Sequence, residues 1–123
     1  GGADVVMLCT SSGTPILDIK DIGKPALVTS ISTNVAMARE VDPQALGDMD
    51  VYCDYKKTTP ASAGEMVLAA RDHGWSPDAI RGDLPDMCSE GFKAPAYDRP
   101  VFFRSIGLGL EDVAIAYAVY TRL

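Results

Sequence analysis

Apolar runs alternate with small polar turns along this chain, and the runs predict strands of a largely parallel sheet. Residues 5–9 (VVMLC) are almost continuously apolar, which is typical of a strand that is buried on both faces. Residues 25–31 and 49–55 predict a second and a third strand, and residues 101–104 (VFFR) predict a fourth. The turn residues Gly, Pro, Ser, Asn and Asp cluster between these runs.

Helix signals fill the intervals between the predicted strands. Asp42 and Pro43 are an N-cap and a first-turn proline, so residues 44–47 are predicted to form a short helix. Ser62 and Glu65 have the spacing of a capping box, which predicts a helix that ends just before Gly74. Apolar residues at helical spacing predict a terminal helix over residues 110–123.

This alternation predicts an α/β fold whose mostly parallel sheet has helices on both faces. Ligands of such sheets bind at the carboxyl ends of the strands. Small polar residues follow three of the predicted strands: Thr10-Ser11-Ser12, Ser32-Thr33-Asn34 and Ser105-Ile106-Gly107. If these ends are neighbours, they form a polar rim suited to a nucleotide. Residues 82–88 fit either a loop or a helical turn, where Asp83 and Asp86 could line a cleft or be solvated.

The segment of residues 101–114 is the most informative single pattern. It predicts a strand, a small-residue turn and a helix whose first turn carries Glu111 and Asp112, where carboxylates are favoured. A glycine turn that leads into a helix N-terminus often holds a small polar ligand. The same pattern also occurs where a strand, a turn and a helix simply pack together.

Composition narrows the class of protein. The 123 residues are 47% hydrophobic and 23% charged with a net charge of −6, which predicts one ordinary globular domain. Scattered basic residues argue against nucleic acid or an anionic membrane as a partner, and no apolar run is long enough to span a membrane. The single histidine and three cysteines lack metal-ligand spacing, so we predict no metal site. Unpaired cysteines favour a cytoplasmic location.

Several motifs together resemble the ornithine cyclodeaminase/mu-crystallin family over essentially the whole chain. They are ADVV…TSS at residues 3–12, REVDP at 39–43, AGE at 63–65, GDL at 82–84 and the block at 105–120. The last block is the most specific, although Gly109 stands where the family usually has Ala and Glu111 where it has Gln.

The resemblance implies a partial Rossmann-type NAD(P)-binding fold. Residues 1–123 would be the C-terminal portion of the NAD(P)-binding domain, ending in a strand-turn-helix over residues 101–123. The glycine-rich phosphate loop and the N-terminal substrate and dimerisation domain of the family would lie upstream, and this sequence has no G-x-G-x-x-G motif. The resemblance further implies NAD or NADP as cofactor and a small amino or cyclic imino acid as substrate. The exposed edge strand predicts self-association as a homodimer.

Site residues carry over from the family at matching positions. Thr10 and Ser11 would lie on the adenosine side of the cofactor, whereas Ile31 and Ser105 would lie near the nicotinamide. Asn34 occupies the position where the family's cyclodeaminases have an acid/base Asp, so it is the candidate catalytic residue. An amide cannot take up a proton as a carboxylate can. This difference favours imine reduction over cyclodeamination, because the cofactor supplies the hydride.

Three hypotheses for function remain open at this point. The first is an NAD(P)-dependent cyclodeaminase-like oxidoreductase of amino or imino acids. The second is a non-catalytic protein of mu-crystallin type that binds NADPH and a small ligand. The third is that the 123-residue chain is inactive alone: without the phosphate loop, and with an exposed edge strand, it is expected to bind NAD(P)H weakly or not at all and to self-associate.

Overall fold

A five-stranded parallel sheet forms the centre of the computed structural model, which describes residues 2–31 and 35–122. The strands are β1 (Val5–Leu8), β2 (Leu27–Ile31), β3 (Asp50–Cys53), β4 (Gly82–Asp83) and β5 (Val101–Ser105). They lie in the order β1-β2-β5-β3-β4, and every pairing is parallel. The predicted α/β class is confirmed. Strand β4 was not predicted, because two residues are too few to show a periodicity.

Helices lie between the strands, and one more helix follows β5. They are α1 (Thr59–Ser62), α2 (Gly64–Asp72), α3 (Leu84–Met87) and α4 (Gly109–Tyr120), with 3-10 turns at Ile19–Asp21, Pro43–Asp48 and Pro77–Ala79. The predicted cap at Asp42 is present, since its carboxylate accepts a hydrogen bond from the Gln44 N–H at 2.9 Å. The segment that the sequence left open at 82–88 contains both β4 and α3.

The prediction of a capping box at Ser62 and Glu65 is wrong. Helix α2 begins at Gly64 after an Ala63 N-cap that makes no side-chain hydrogen bond. Ser62 instead ends α1, and Glu65 is fully buried. The reason is that the Glu65 carboxylate turns into the protein toward a buried arginine, Arg104. The predicted end is nearly right: the helix stops at Asp72, and Gly74 adopts the left-handed backbone (φ +67°).

One face of the sheet carries the hydrophobic core. Val28, Val51 and Phe102 lie side by side on adjacent strands and are 0–1% exposed, and Met66 and Ala69 of α2 belong to the same core. Alternate strand residues point to the opposite face, where α3 and residues 88–100 border an apolar groove of about 290 Å³. Helix α2 therefore covers one face, whereas a short helix and a loop border the groove on the other.

The terminal helix α4 has no buried residue, although the sequence predicted its apolar repeat. Leu110, Tyr117 and Tyr120 are 68–76% exposed. Strand β1 also exposes apolar side chains, since Val5 and Met7 on its outer face are more than half exposed. Large apolar side chains thus face solvent at both ends of the described chain.

Candidate functional site

Three neighbouring strands end at one edge of the sheet, which we call the carboxyl edge. It consists of residues 10–11 after β1, Ile31 at the end of β2, and the 105–107 turn after β5. The register pairs Leu8 with Ser30 and Ile31 with Ser105, so these ends are adjacent. The structure therefore brings together Thr10, Ser11, Ile31 and Ser105, the four predicted cofactor residues. The predicted catalytic residue Asn34 lies outside the described residues.

Ser11 and Ile31 are the members of the carboxyl edge whose side chains are most open to a ligand. Ser11 is exposed, and the Ile31 side chain is an exposed apolar surface at 53%. Thr10 is exposed too, but its hydroxyl and its backbone N–H both donate to Glu40 Oε1, at 2.8 and 2.6 Å. These two bonds to the buried Glu40 therefore fix the orientation of the Thr10 side chain.

Glu40 connects the ends of β1 and β2. Its side chain is fully buried, and its Oε2 accepts a hydrogen bond from the Ser30 hydroxyl at 2.6 Å. Its backbone carbonyl accepts from the N–H groups of Ile16 and Leu17, which ties the crossover after β1 to this point. One carboxylate thus bridges Thr10 and Ser30 beneath the carboxyl edge.

A buried ion pair continues this layer toward β5. Arg104 Nε lies 2.6 Å from Glu65 Oε1, and both side chains are 1% exposed. The Arg104 guanidinium also donates to the carbonyl oxygens of Ser30 and Ser105, at 3.3 and 2.9 Å. Burial raises the pKa of the Glu65 carboxyl above its usual range, and the charge of Arg104 opposes that rise.

Asp54 lies immediately after β3 and binds the 105–107 turn from the buried side. Its fully buried Oδ2 accepts hydrogen bonds from the Ser105 hydroxyl at 3.1 Å and from the N–H groups of Ile106 and Gly107 at 2.8 and 3.0 Å. Its Oδ1 accepts from the Tyr55 N–H and from the Thr59 hydroxyl. The turn amides that could have held an external anion are therefore satisfied by a carboxylate of the protein itself.

Asp83 is buried, whereas the Asp86 side chain is 43% exposed. They form a capping box at the start of α3, and Asp83 is 4% exposed. Asp83 Oδ2 also accepts from the Lys56 N–H at 3.0 Å. The Lys56 ammonium, 2.5 Å from Asp86 Oδ2, lowers the pKa of that carboxyl. Both carboxylates therefore stabilise the connection between β3, β4 and α3.

The sequence interpretation missed the buried charges beneath the carboxyl edge. They are Glu40, Asp54, Glu65 and Arg104. A signal was available for two of them, since Arg104 interrupts the apolar run VFF and Asp54 follows VYC. A charged residue in a buried strand must find a partner, because burying an unpaired charge is costly. The sequence does not say which partner it finds.

Within the described residues, no cluster of His, Cys, Asp and Glu side chains could hold a metal ion. Nor does that part of the chain contain a helix long and apolar enough to cross a membrane. Cys9 and Cys88 are exposed free thiols, whereas burial raises the pKa of the Cys53 thiol to about 11.

Comparison with known proteins identifies the family. The model of the ornithine cyclodeaminase/mu-crystallin family matches residues 1–123. The chain belongs to this family. Among its members, the NAD(P)H-dependent anabolic L-arginine dehydrogenase DauB of Pseudomonas aeruginosa is 61% identical over 118 residues, which are 96% of this chain and 38% of that protein.

Solved structures of the family have the same fold. The iminosuccinate reductase of Paracoccus denitrificans in complex with NAD+ superimposes with a TM-score of 0.82 at 26% identity, covering 95% of this chain and 36% of that one. The Delta(1)-pyrroline-2-carboxylate reductase of Thermococcus litoralis, in complex with NADH and L-proline, gives a TM-score of 0.86 at 20% identity, with 97% and 37% covered. The chain thus spans well under half the length of these relatives.

Proposed function

We propose that this chain is the C-terminal part of the NAD(P)-binding domain of an oxidoreductase that interconverts a small amino acid and its imino acid. The observation that carries the proposal is the carboxyl edge: three parallel strand ends side by side, each supported from beneath by buried hydrogen bonds. The 61% identity to a protein named as an L-arginine dehydrogenase supports the same class of reaction and makes L-arginine the first substrate to test.

The residues of the carboxyl edge fit one wall of a dinucleotide site. Ile31 offers an exposed apolar surface that suits the face of a nicotinamide ring, and Ser11 offers an exposed hydroxyl. The fit does not extend to the phosphates, because the turn amides of Ile106 and Gly107 donate to Asp54 and the sequence has no G-x-G-x-x-G motif. We infer that the phosphate loop and the substrate-binding groups belong to the part of the family's polypeptide that this chain does not span.

When bound, the nicotinamide would supply or accept the hydride at the carbon that carries the nitrogen. The role of this chain would be to orient the ring against Ile31 and the 105–107 turn, which matters because hydride transfer requires close and aligned reactants. Asn34 would orient the substrate or a water molecule by hydrogen bonding. This amide is the reason that we favour imine reduction over cyclodeamination.

The test uses the full-length protein that carries this chain, with NADH and NADPH supplied separately. We expect reduced nicotinamide absorbance to fall on addition of pyrroline-2-carboxylate or of another imino acid, and to rise with L-arginine and the oxidised cofactor. Asn34→Asp tests the preference, because it should allow release of ammonia from ornithine if the carboxylate is what cyclodeamination requires. Cofactor binding without turnover of any amino or imino acid would favour the non-catalytic binding protein.

The 123-residue chain by itself should bind NAD(P)H weakly or not at all, and it should self-associate as a homodimer. Calorimetric titration and light scattering measure these two properties. Tight binding by the chain alone would contradict our assignment of the phosphate site to another part of the polypeptide.

A further inference from the structure

We propose that Asp54 is a positioning residue that holds the 105–107 turn beside Ile31 and so shapes the wall that meets the nicotinamide end of the cofactor. This inference rests on the proposed function. It assigns a role to a carboxylate that is fully buried and that therefore cannot itself touch a ligand at the carboxyl edge.

The two oxygens of Asp54 have separate partners. Oδ2 accepts the three hydrogen bonds from residues 105–107, whereas Oδ1 accepts from the Tyr55 N–H and the Thr59 hydroxyl. Oδ2 therefore holds the turn, and Oδ1 anchors the carboxylate to its own segment and to α1. Hydrogen bonds to an ionised carboxylate are stronger than those between neutral groups.

Two observations indicate that the turn depends on such an anchor. Gly107 has a left-handed backbone (φ +80°), and the helix that follows, α4, buries no side chain against the described chain. The contacts that hold the turn are its hydrogen bonds to Asp54, the bond from the Gly107 N–H to the Ser105 hydroxyl, the bond from Arg104 to the Ser105 carbonyl, and the packing of the half-buried Ile106 side chain against the core. Because Ser105 pairs in register with Ile31, a shift of the turn changes the width of the wall at that point.

Asp54→Asn is the direct perturbation. An amide presents one acceptor oxygen and one NH₂ donor, so it cannot accept on both sides. If the NH₂ group faces the turn, the turn amides meet a donor; if the oxygen faces the turn, its three hydrogen bonds lose the negative charge that strengthened them. Thr59→Val is the matched control, because it removes a buried hydrogen bond from the same carboxylate and leaves the three bonds to the turn in place.

The readout compares NADH with ADP-ribose, which lacks the nicotinamide, by calorimetric binding to the full-length protein. We expect Asp54→Asn to weaken NADH binding at least tenfold and to change ADP-ribose binding less than threefold, while Thr59→Val changes neither by more than threefold. Equal weakening of both ligands by Asp54→Asn, unchanged NADH binding, or equal effects of the two variants on NADH would overturn the inference.

Hydrogen exchange on the wild-type protein covers the case in which Asp54→Asn does not fold. The N–H groups of Ile106 and Gly107 should exchange as slowly as those of β5, and NADH should slow them further whereas ADP-ribose should not. Exchange as fast as in an exposed turn would overturn the inference. A wild-type protein that binds neither NADH nor NADPH would refute the proposed function itself, whereas binding of the reduced cofactor that is indifferent to Asp54 would refute only its positioning role.

Discussion

Removal of the buried cation at Arg104 should be among the most damaging single changes in this protein. Arg104→Met keeps an unbranched apolar stem but leaves the Glu65 carboxylate, 1% exposed, without the guanidinium that lies 2.6 Å from it. Breaking a buried ion pair from one side costs about 3–5 kcal/mol, because the remaining charge stays desolvated. The partly exposed pair of Arg99 and Asp50 is the control, because Asp50 keeps a second arginine, Arg81, when Arg99 is replaced. Arg99→Met should therefore cost no more than about 1 kcal/mol.

The loss of folding stability in Arg104→Met should also depend on pH, and the shift of the Glu65 pKa determines whether it grows or shrinks as the pH rises. Burial already raises this pKa above the ordinary value of 4.5, and loss of the arginine removes the charge that opposed the rise. A carboxyl whose pKa is higher in the folded state is destabilising once the pH exceeds the pKa of the unfolded state. The penalty should therefore be greatest at neutral pH and should shrink as the pH falls toward 4.5.

Urea-induced unfolding followed by circular dichroism measures both effects across this pH range. Adding Glu65→Gln to Arg104→Met should recover part of the lost stability at neutral pH and remove most of the pH dependence. A cost for Arg104→Met that equals that of Arg99→Met, or that stays constant with pH, would refute the reasoning.

Two further predictions concern helix glycines and exposed thiols. Gly64→Ala should destabilise the protein by about 1–3 kcal/mol, because the new Cβ would lie 2.5 Å from the Ala38 carbonyl oxygen. In Gly109→Ala the new Cβ meets no atom within 4 Å, so this variant should be neutral or stabilising by up to about 1 kcal/mol. Thermal unfolding measures both effects. Cys9 lies immediately before the carboxyl edge, so NADH should slow its alkylation in the full-length protein but should not slow that of Cys88. Peptide mass spectrometry measures both rates, and equal protection of the two thiols would contradict the placement of the cofactor at this edge.

The sequence predicted the elements with a strong local pattern and missed those defined by distant partners. The apolar runs gave four of the strands, and Asp42-Pro43 gave a helical turn whose cap is present. The Ser62 capping box failed because Glu65 has a stronger partner 39 positions away, in Arg104. Local spacing carries no information about such a pairing.

The same limit applies to the candidate site. Strand ends could be predicted because parallel strands end at a common edge. The support beneath that edge could not, since Glu40 and Asp54 reach Thr10 and the 105–107 turn across 30 and 51–53 positions respectively. The pattern at residues 105–107 fits either a turn that holds a ligand or plain packing, and only the tertiary structure reveals that Asp54 accepts from two of the turn amides.

The position of β5 in the sheet has a consequence for how the chain is made. Within the described residues, the pair β1-β2 and the pair β3-β4 are joined through β5, which comes last of the five strands along the chain. The two strand pairs therefore cannot join into one sheet until residues 101–105 have left the ribosome. Contacts between segments so far apart in the sequence also form slowly. Until then the two strand pairs have unpaired edges, so we expect nascent chains that stop before residue 101 to depend on chaperones or to aggregate.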